Sequence, residues 1–373
     1  MTKRSFTIAA IVAAATIGTG VFAMPYVIQT SGWFLTLGYF VALIAVVSLA
    51  HVLYLRTLVA VREKERLLGL ARKYFGGTGF WIGFLAIVIG LMLSFVAYLV
   101  LGVQFMTLLF PWLSPAVARG VFWFLLACLI WGSEGRVAWL EVAGIALITC
   151  VVLFIFGTGH PAVAFVGMPF AVAKNFFLPF GAVVFALAGW TSVEQVYELT
   201  QSGEGDGGRF NAGMFGAFVI GTALAGLLYW LFALGVIGTA PHVAMDTISG
   251  IAGWPVWRKD TLAILGLLAI AVVSLPLSRE IRGALEKDLR WNSIASRATI
   301  IILPIVTVLA GFNNFLVVVS VAGGVFLSAQ YLLIIAVGRR TLDLSSREKA
   351  LLDTLSIIFV CAAIYSLYLF IVK

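Results

Sequence analysis

The chain has 373 residues, of which 62% are hydrophobic and 11% charged, against roughly 45–50% and 25% in ordinary globular proteins. A mean hydropathy of +1.10, with 29 Phe, leaves too little polar surface to face water, which excludes a cytosolic enzyme, a disordered scaffold and a disulfide-stapled domain. The apolar blocks are long and unbroken, so an outer-membrane barrel of alternating strands is excluded as well, and the chain reads as an all-α polytopic membrane protein.

Residues 1–25 begin with basic residues and continue as an apolar stretch, the outline of a secretory signal. No small-residue cleavage site follows, so this segment is expected to be a first transmembrane helix. On a ruler of about 20 apolar residues per span, eleven spans follow in order: 5–29, 33–55, 80–110, 117–132, 138–157, 176–199, 212–239, 261–278, 297–312, 314–338 and 350–372. With the N-terminus inside, only Arg119, Lys174, Arg258, Lys259 and Lys373 of the 24 Lys and Arg lie outside, which gives a cytoplasmic N-terminus and an external C-terminus. The same asymmetry accounts for the net charge of +8 without a nucleic-acid partner. Between spans, 62–76 is expected as a short interfacial helix, with Leu67, Leu68, Leu70 and Ala71 at helical spacing. Residues 201–209 are expected as a flexible linker, and His242 to Ile251 as a surface helix. Cys128, Cys150 and Cys361 lie inside apolar blocks without metal or redox spacing and are expected as small core residues.

Two spans carry breaks. The first reads AAATIGTGVFAMP (13–25), with Gly18 and Gly20 flanking Thr19 at mid-bilayer depth, and the sixth reads FALAGWTSVEQVYE (185–198), with Gly189, Thr191 and Ser192 mid-span. Unmet backbone groups in lipid cost several kcal/mol each, so such breaks persist only where protein or a water-filled cavity meets them. A single Gly more often marks close helix packing. Two breaks five spans apart, in opposite orientation, fit an inverted repeat with the binding site at its centre.

The block TIGTGVFAMPYVIQTSGW (16–33) resembles the first helix of the amino acid–polyamine–organocation permease superfamily, and FALAGWTSVEQVYE resembles its sixth helix. LLGLARKYFG (67–76) and NNFLVVVSVAGGVF (313–326) resemble the amino acid/auxin and aromatic amino acid permease branch. The resemblance covers spans one to ten. It implies a LeuT-type fold: a transporter core over 1–338, with repeat one about 1–157, repeat two about 176–338, discontinuous helices one and six, and an extra helix at 350–372. It also implies secondary transport of an amino acid by alternating access across the cytoplasmic membrane.

A zwitterion buried at mid-membrane needs a partner for each charge. The amides around Gly18, Thr19 and Gly20 open the second half of span one, where a carboxylate meets the positive end of a helix dipole. Bulk added at Gly18 or Gly20 is accordingly expected to enter the cavity. The carbonyls freed near Ile17 and Ala188 can accept from an ammonium, with Gly189 and Thr191 completing the second break. By the resemblance, Phe185, Trp190 and Tyr98 line or gate the pocket. No acidic residue sits at either break, which favours a neutral amino acid, aromatic or aliphatic, over a cationic one.

Glu194 lies in the inner half of span six and is a candidate to carry a coupling proton, to pair with a neighbour or to face the inner vestibule. Glu141 and His51 lie near cytoplasmic ends and are expected to be solvated or interfacial. Sodium-driven members of the fold pair carbonyls of span one, here matching Ala14 and Ile17, with two adjacent hydroxyls of span eight; Ser274 matches one, but its neighbour is Val273. Proton-driven relatives place a lysine on span five, and 138–157 contains none. The remaining readings are proton coupling, then exchange or facilitation without an ion, with sodium behind both. No cofactor, metal or P-loop motif occurs, and His51, His160 and His242 are scattered, so a membrane-embedded enzyme is the remote alternative. No residue pattern points to an oligomeric state.

Overall fold

A chain this apolar must close its backbone hydrogen bonds within each segment, and every regular element in the described residues is helical. The computed structural model describes residues 3–62, 66–132, 137–201, 212–240, 243, 248, 251 and 253–372. The first span is α1 (Lys3–Thr16), a 3₁₀ turn (Thr19–Ala23) and α2 (Met24–Ser31). There follow α3 (Trp33–Val61), α4 (Leu67–Phe84), a π segment (Leu85–Ile89), α5 (Gly90–Leu109), α6 (Pro115–Gly132), α7 (Val137–Gly157) and α8 (Pro161–Gly167). The second half holds α9 (Leu178–Leu187), α10 (Ser192–Gln201), α11 (Ala212–Ile237), α12 (Val256–Gly283) and a π segment (Ala284–Asp288). It continues through α13 (Ser293–Leu309), α14 (Phe315–Val321), a π segment (Ala322–Leu327), α15 (Ser328–Thr341) and α16 (Ser346–Val372).

Among the described residues, seven helices are long and apolar enough to cross a membrane, and the bent pair Arg4–Thr16 and Thr19–Ser31, at 55°, makes an eighth. The two broken helices sit at the centre. The first runs along α11, while α9 touches the 3₁₀ turn, α2, α3 and the π segment at 322–327. Short polar side chains start the later helices. Asn292 Oδ1 accepts from Ala295 N at 2.7 Å and Asn314 Oδ1 from Val317 N at 3.1 Å, meeting amides that have no partner inside their own helices. Ser345 and Glu348 exchange hydrogen bonds at the head of α16, as a capping box requires.

The structure revises several expectations. The segment 67–76 does form a helix of its own, which ends at Gly76 (φ 64, ψ −146), where non-helical backbone separates it from the helix of span three. Its Leu67, Leu68, Leu70 and Ala71 are buried against protein. The three cysteines face outward from α6, α7 and α16 instead of filling the core. The 201–209 linker lies outside the described residues apart from Gln201, as do most of His242 to Ile251 and the side chain of Glu141.

Candidate functional site

The break in span one falls at Ile17 and Gly18, with Gly18 in extended backbone. Its hydrogen bonds are met from another helix. The Tyr229 hydroxyl on α11 accepts from Gly18 N at 2.9 Å and donates to the Thr16 carbonyl at 2.6 Å. Among the described residues, the amides of Thr19 and Gly20 and the carbonyl of Ile17 meet no protein partner. The Gly18 amide, expected to be open to a ligand, is thus occupied by Tyr229, and the open donors lie one and two residues further on.

Gly20 differs from expectation in a second way. Its backbone lines the cavity, but a Cβ there would come within 2.7 Å of Ala186 Cα, so its bare face is where the 3₁₀ turn touches α9. Only glycine permits that approach. At Gly18 a Cβ meets nothing closer than 4.0 Å.

The break in span six spans Ala188 to Thr191 and closes on itself. Ser192 donates to the Gly189 carbonyl through its amide at 3.0 Å and its hydroxyl at 2.6 Å, and Val193 N donates to the Trp190 carbonyl at 3.0 Å. The Ala188 carbonyl and the amides of Trp190 and Thr191 have no partner among the described residues. A Cβ on Gly189 would collide with Thr16 Oγ1, which brings the two breaks into contact.

Between the breaks lies a cavity of about 330 Å³, inside the range of about 300–1,000 Å³ usual for small-molecule sites. It gathers Ala14, Ile17, Gly18, Thr19, Gly20, Tyr98, Phe185, Ala188, Trp190, Thr191 and Glu194. Two candidates lie off it. Gly189 packs behind the wall, and Ser274 is buried with its Oγ donating to its own helix at Ile270 O, 2.6 Å, while Val273 faces the cavity. Beyond the break, Phe22 packs edge-on against Phe105 (5.1 Å) and Phe232 (5.4 Å), closing that end with rings.

The opposite end is polar. Arg66, just before α4, pairs with Glu280 of α12 at 2.8 Å and with Glu194 of α10 at 3.3 Å. Tyr54 of α3 donates to Glu194 at 2.9 Å. Four elements thus meet at two carboxylates and one guanidinium, all near the cavity mouth. His51, expected at a wet surface, is fully buried, with Nε2 3.2 Å from the Tyr331 hydroxyl and its ring beside Phe218. It lies deep because α3 runs six residues beyond the expected end of its span, to Val61.

Four residues that act on this site escaped sequence reasoning: Tyr229, Arg66, Glu280 and Gln330, whose side-chain oxygen accepts from the Trp190 indole. Each acts on a residue more than 100 positions away, beyond the reach of local spacing. For Gln330 a signal existed, since it is a lone amide within an apolar span.

The tryptophan/tyrosine permease family model matches residues 1–254. No curated protein matches the chain. Among solved structures, the chain is similar to MhsT in complex with L-phenylalanine (14% identity, TM-score 0.67, 98% of each chain covered). It is also similar to an Eremococcus coleocola manganese transporter in complex with an aromatic bis-isothiourea substituted compound (14%, TM-score 0.66, 97% of this chain and 85% of that one). A third similar structure is Mhp1, a nucleobase-cation-symport-1 family transporter, closed with bromovinylhydantoin bound (15%, TM-score 0.64, 98% and 90%). At such identities the likeness carries the fold, which is LeuT-type with helices one and six discontinuous. The chain belongs to the tryptophan/tyrosine permease family and is a multi-pass membrane transporter, not an enzyme.

Proposed function

We propose that the protein moves a neutral aromatic amino acid across the cytoplasmic membrane by alternating access, coupled to a proton. The observation that carries this reading is the meeting of two broken helices at one cavity, where backbone donors and acceptors stand unmet beside aromatic side chains. The amides of Thr19 and Gly20, at the start of the second half of span one, suit a carboxylate. The carbonyls of Ile17 and Ala188 suit an ammonium. Trp190, Phe185 and Tyr98 suit a flat apolar side chain, which agrees with the name of the family. The cavity's carboxylates stand at the Arg66 end and not at the breaks, which is unfavourable for a cationic substrate.

The topology taken with this reading is eleven spans, N-terminus inside, with repeats at about 1–157 and 176–338 and the helix at 350–372 outside them. The inner mouth is then the Arg66 end. Glu194, which shares Arg66 with Glu280 at that mouth, is the group assigned to take up the coupling proton. Its ion pair with Arg66 equally suits a purely structural role, and exchange without ion coupling is the second reading.

The test is thermal-shift screening of the purified protein against the twenty amino acids, followed by uptake of each hit into proteoliposomes under imposed proton or sodium gradients. Stabilisation by tryptophan, tyrosine or phenylalanine with pH-driven uptake is expected; stabilisation by none of the neutral amino acids would sink the reading. Glu194→Gln should retain exchange and lose the pH-driven component, because Gln keeps the shape and cannot titrate. Normal pH-driven uptake by that variant moves the proton elsewhere.

A further inference from the structure

Gln330 of α15 is fully buried and is used at both ends of its amide. Its Oε1 accepts from the Trp190 indole Nε1 at 2.5 Å, and its Nε2 donates to the Ala86 carbonyl at 2.7 Å. That carbonyl is open because of the π segment at Leu85–Ile89. The Gly90 amide, which an uninterrupted α-helix would direct to Ala86, goes to the Ile87 carbonyl instead. A π turn of this kind is frequently found at functional positions. Space for the amide is made by Gly90, where a Cβ would lie 2.8 Å from Gln330 Nε2. A second π segment, Ala322–Leu327, immediately precedes α15 and packs on both the first π segment and α9. Trp190 itself is nearly fully buried yet forms part of the cavity wall, and its ring also meets Tyr54 edge-on at 6.2 Å.

We propose that Gln330 is a positioning residue for the substrate cavity, pinning the Trp190 indole to the π segment of span three. Trp190 is then a fixed wall that sets which side chains fit, and not an aromatic flap that swings over the substrate. Each of the three parts is needed. The π turn frees an acceptor, the glycine admits the amide, and the amide orients the ring. Mutual satisfaction of three buried polar groups leaves no cheap alternative rotamer for the indole, since leaving any of them unpaired in an apolar interior is costly.

This proposal rests on the substrate reading of the cavity, and the experiment separates the two. Wild type, Gln330→Met, Gln330→Glu and Trp190→Phe, singly and with Gln330→Met combined, are compared by amino acid affinity per folded molecule, by uptake kinetics and by the indole N–H resonance of Trp190. That resonance is assigned by its loss in Trp190→Phe. Met fills the volume without either hydrogen bond, whereas the neutral acid of Glu offers the same acceptor and donor as Gln. Gln330→Met should shift the indole resonance and raise KM for the best amino acid about tenfold with little change in maximal rate. Gln330→Glu should restore both, and Gln330→Met should cost no further affinity once Trp190 is Phe. Unchanged affinity in folded Gln330→Met, with wild type binding normally, overturns the positioning role alone. An equal loss on adding Gln330→Met to Trp190→Phe also overturns it, because the amide would then act through the scaffold. Absence of amino acid binding by wild type overturns the substrate reading and this role together, whatever the resonance does.

Discussion

The two broken helices solve one problem in different ways. In span one the freed groups at Thr16 and Gly18 are met by a hydroxyl from α11, more than 200 residues away. In span six the freed carbonyls of Gly189 and Trp190 are met by the next turn of the same chain, through Ser192 and Val193. The first break is therefore a contact between helices, and the second is a local turn. The bonds to Tyr229 tie the break of span one to α11, whereas the bonds that close the break of span six are internal to it. Span one is thus tied to the scaffold by backbone groups at its break, and span six by side chains, through Trp190 to Gln330 and through Glu194 to Arg66.

That contrast can be broken at graded cost. The largest effect is expected at Gly20. Gly20→Val drives two branches into the Ala186 backbone, where nothing flexible can yield, and overpacking of this kind costs about 3 kcal/mol or more. Most folded protein should be lost, as read by monodisperse yield on size exclusion. Gly18→Ala, pointing into open space, should express normally. Equal yields from the two variants would mean that the bare face of Gly20 is not held against α9.

Next is Tyr229→Phe, which keeps the ring and leaves the Gly18 amide and Thr16 carbonyl without protein partners. The expected loss is about 1–3 kcal/mol, seen as a lower melting temperature that a binding amino acid partly restores. A melting temperature equal to that of the wild type would mean that water from the cavity meets both groups as well as the hydroxyl does. The smallest effect is expected for Ser192→Ala. It removes the hydroxyl bond to Gly189 but retains the backbone bond to the same carbonyl, so about 0.5–1.5 kcal/mol is at stake. A larger loss at Ser192 than at Tyr229 would reverse the comparison.

Much of this architecture was legible in the chain itself. Apolar runs bounded by basic residues give the order of the helices, and glycines beside hydroxyl residues mark both breaks to within a residue or two. The backbone groups around those breaks follow from the same marks, while Phe185, Trp190 and Tyr98 came only with the family resemblance. What meets each break was hidden. Ten tyrosines occur in the chain, and nothing local sets Tyr229 apart from those that only pack. Glu280 lies between Arg279 and Arg282 and reads as part of a charged helix end, yet it faces Arg66 across the cavity mouth. The direction of the Gly20 face was misjudged for a related reason: sequence gives the depth of a glycine along its helix but not the neighbour that its missing side chain admits. His51 and the cysteines went wrong in opposite senses, because hydropathy cannot tell a helix face turned to lipid from one turned to protein.

The central claim is that an amino acid sits between the two breaks. Gly18→Cys tests it most directly, in a background with Cys128, Cys150 and Cys361 replaced by Ala, because a side chain at that position has room and its neighbours line the cavity. The measurement is the rate at which a small thiol reagent modifies this cysteine, with and without saturating L-tryptophan, L-tyrosine or L-phenylalanine. The account predicts marked slowing by at least one of the three and none by arginine or glutamate. Modification at the same rate in the presence of every neutral amino acid would contradict it.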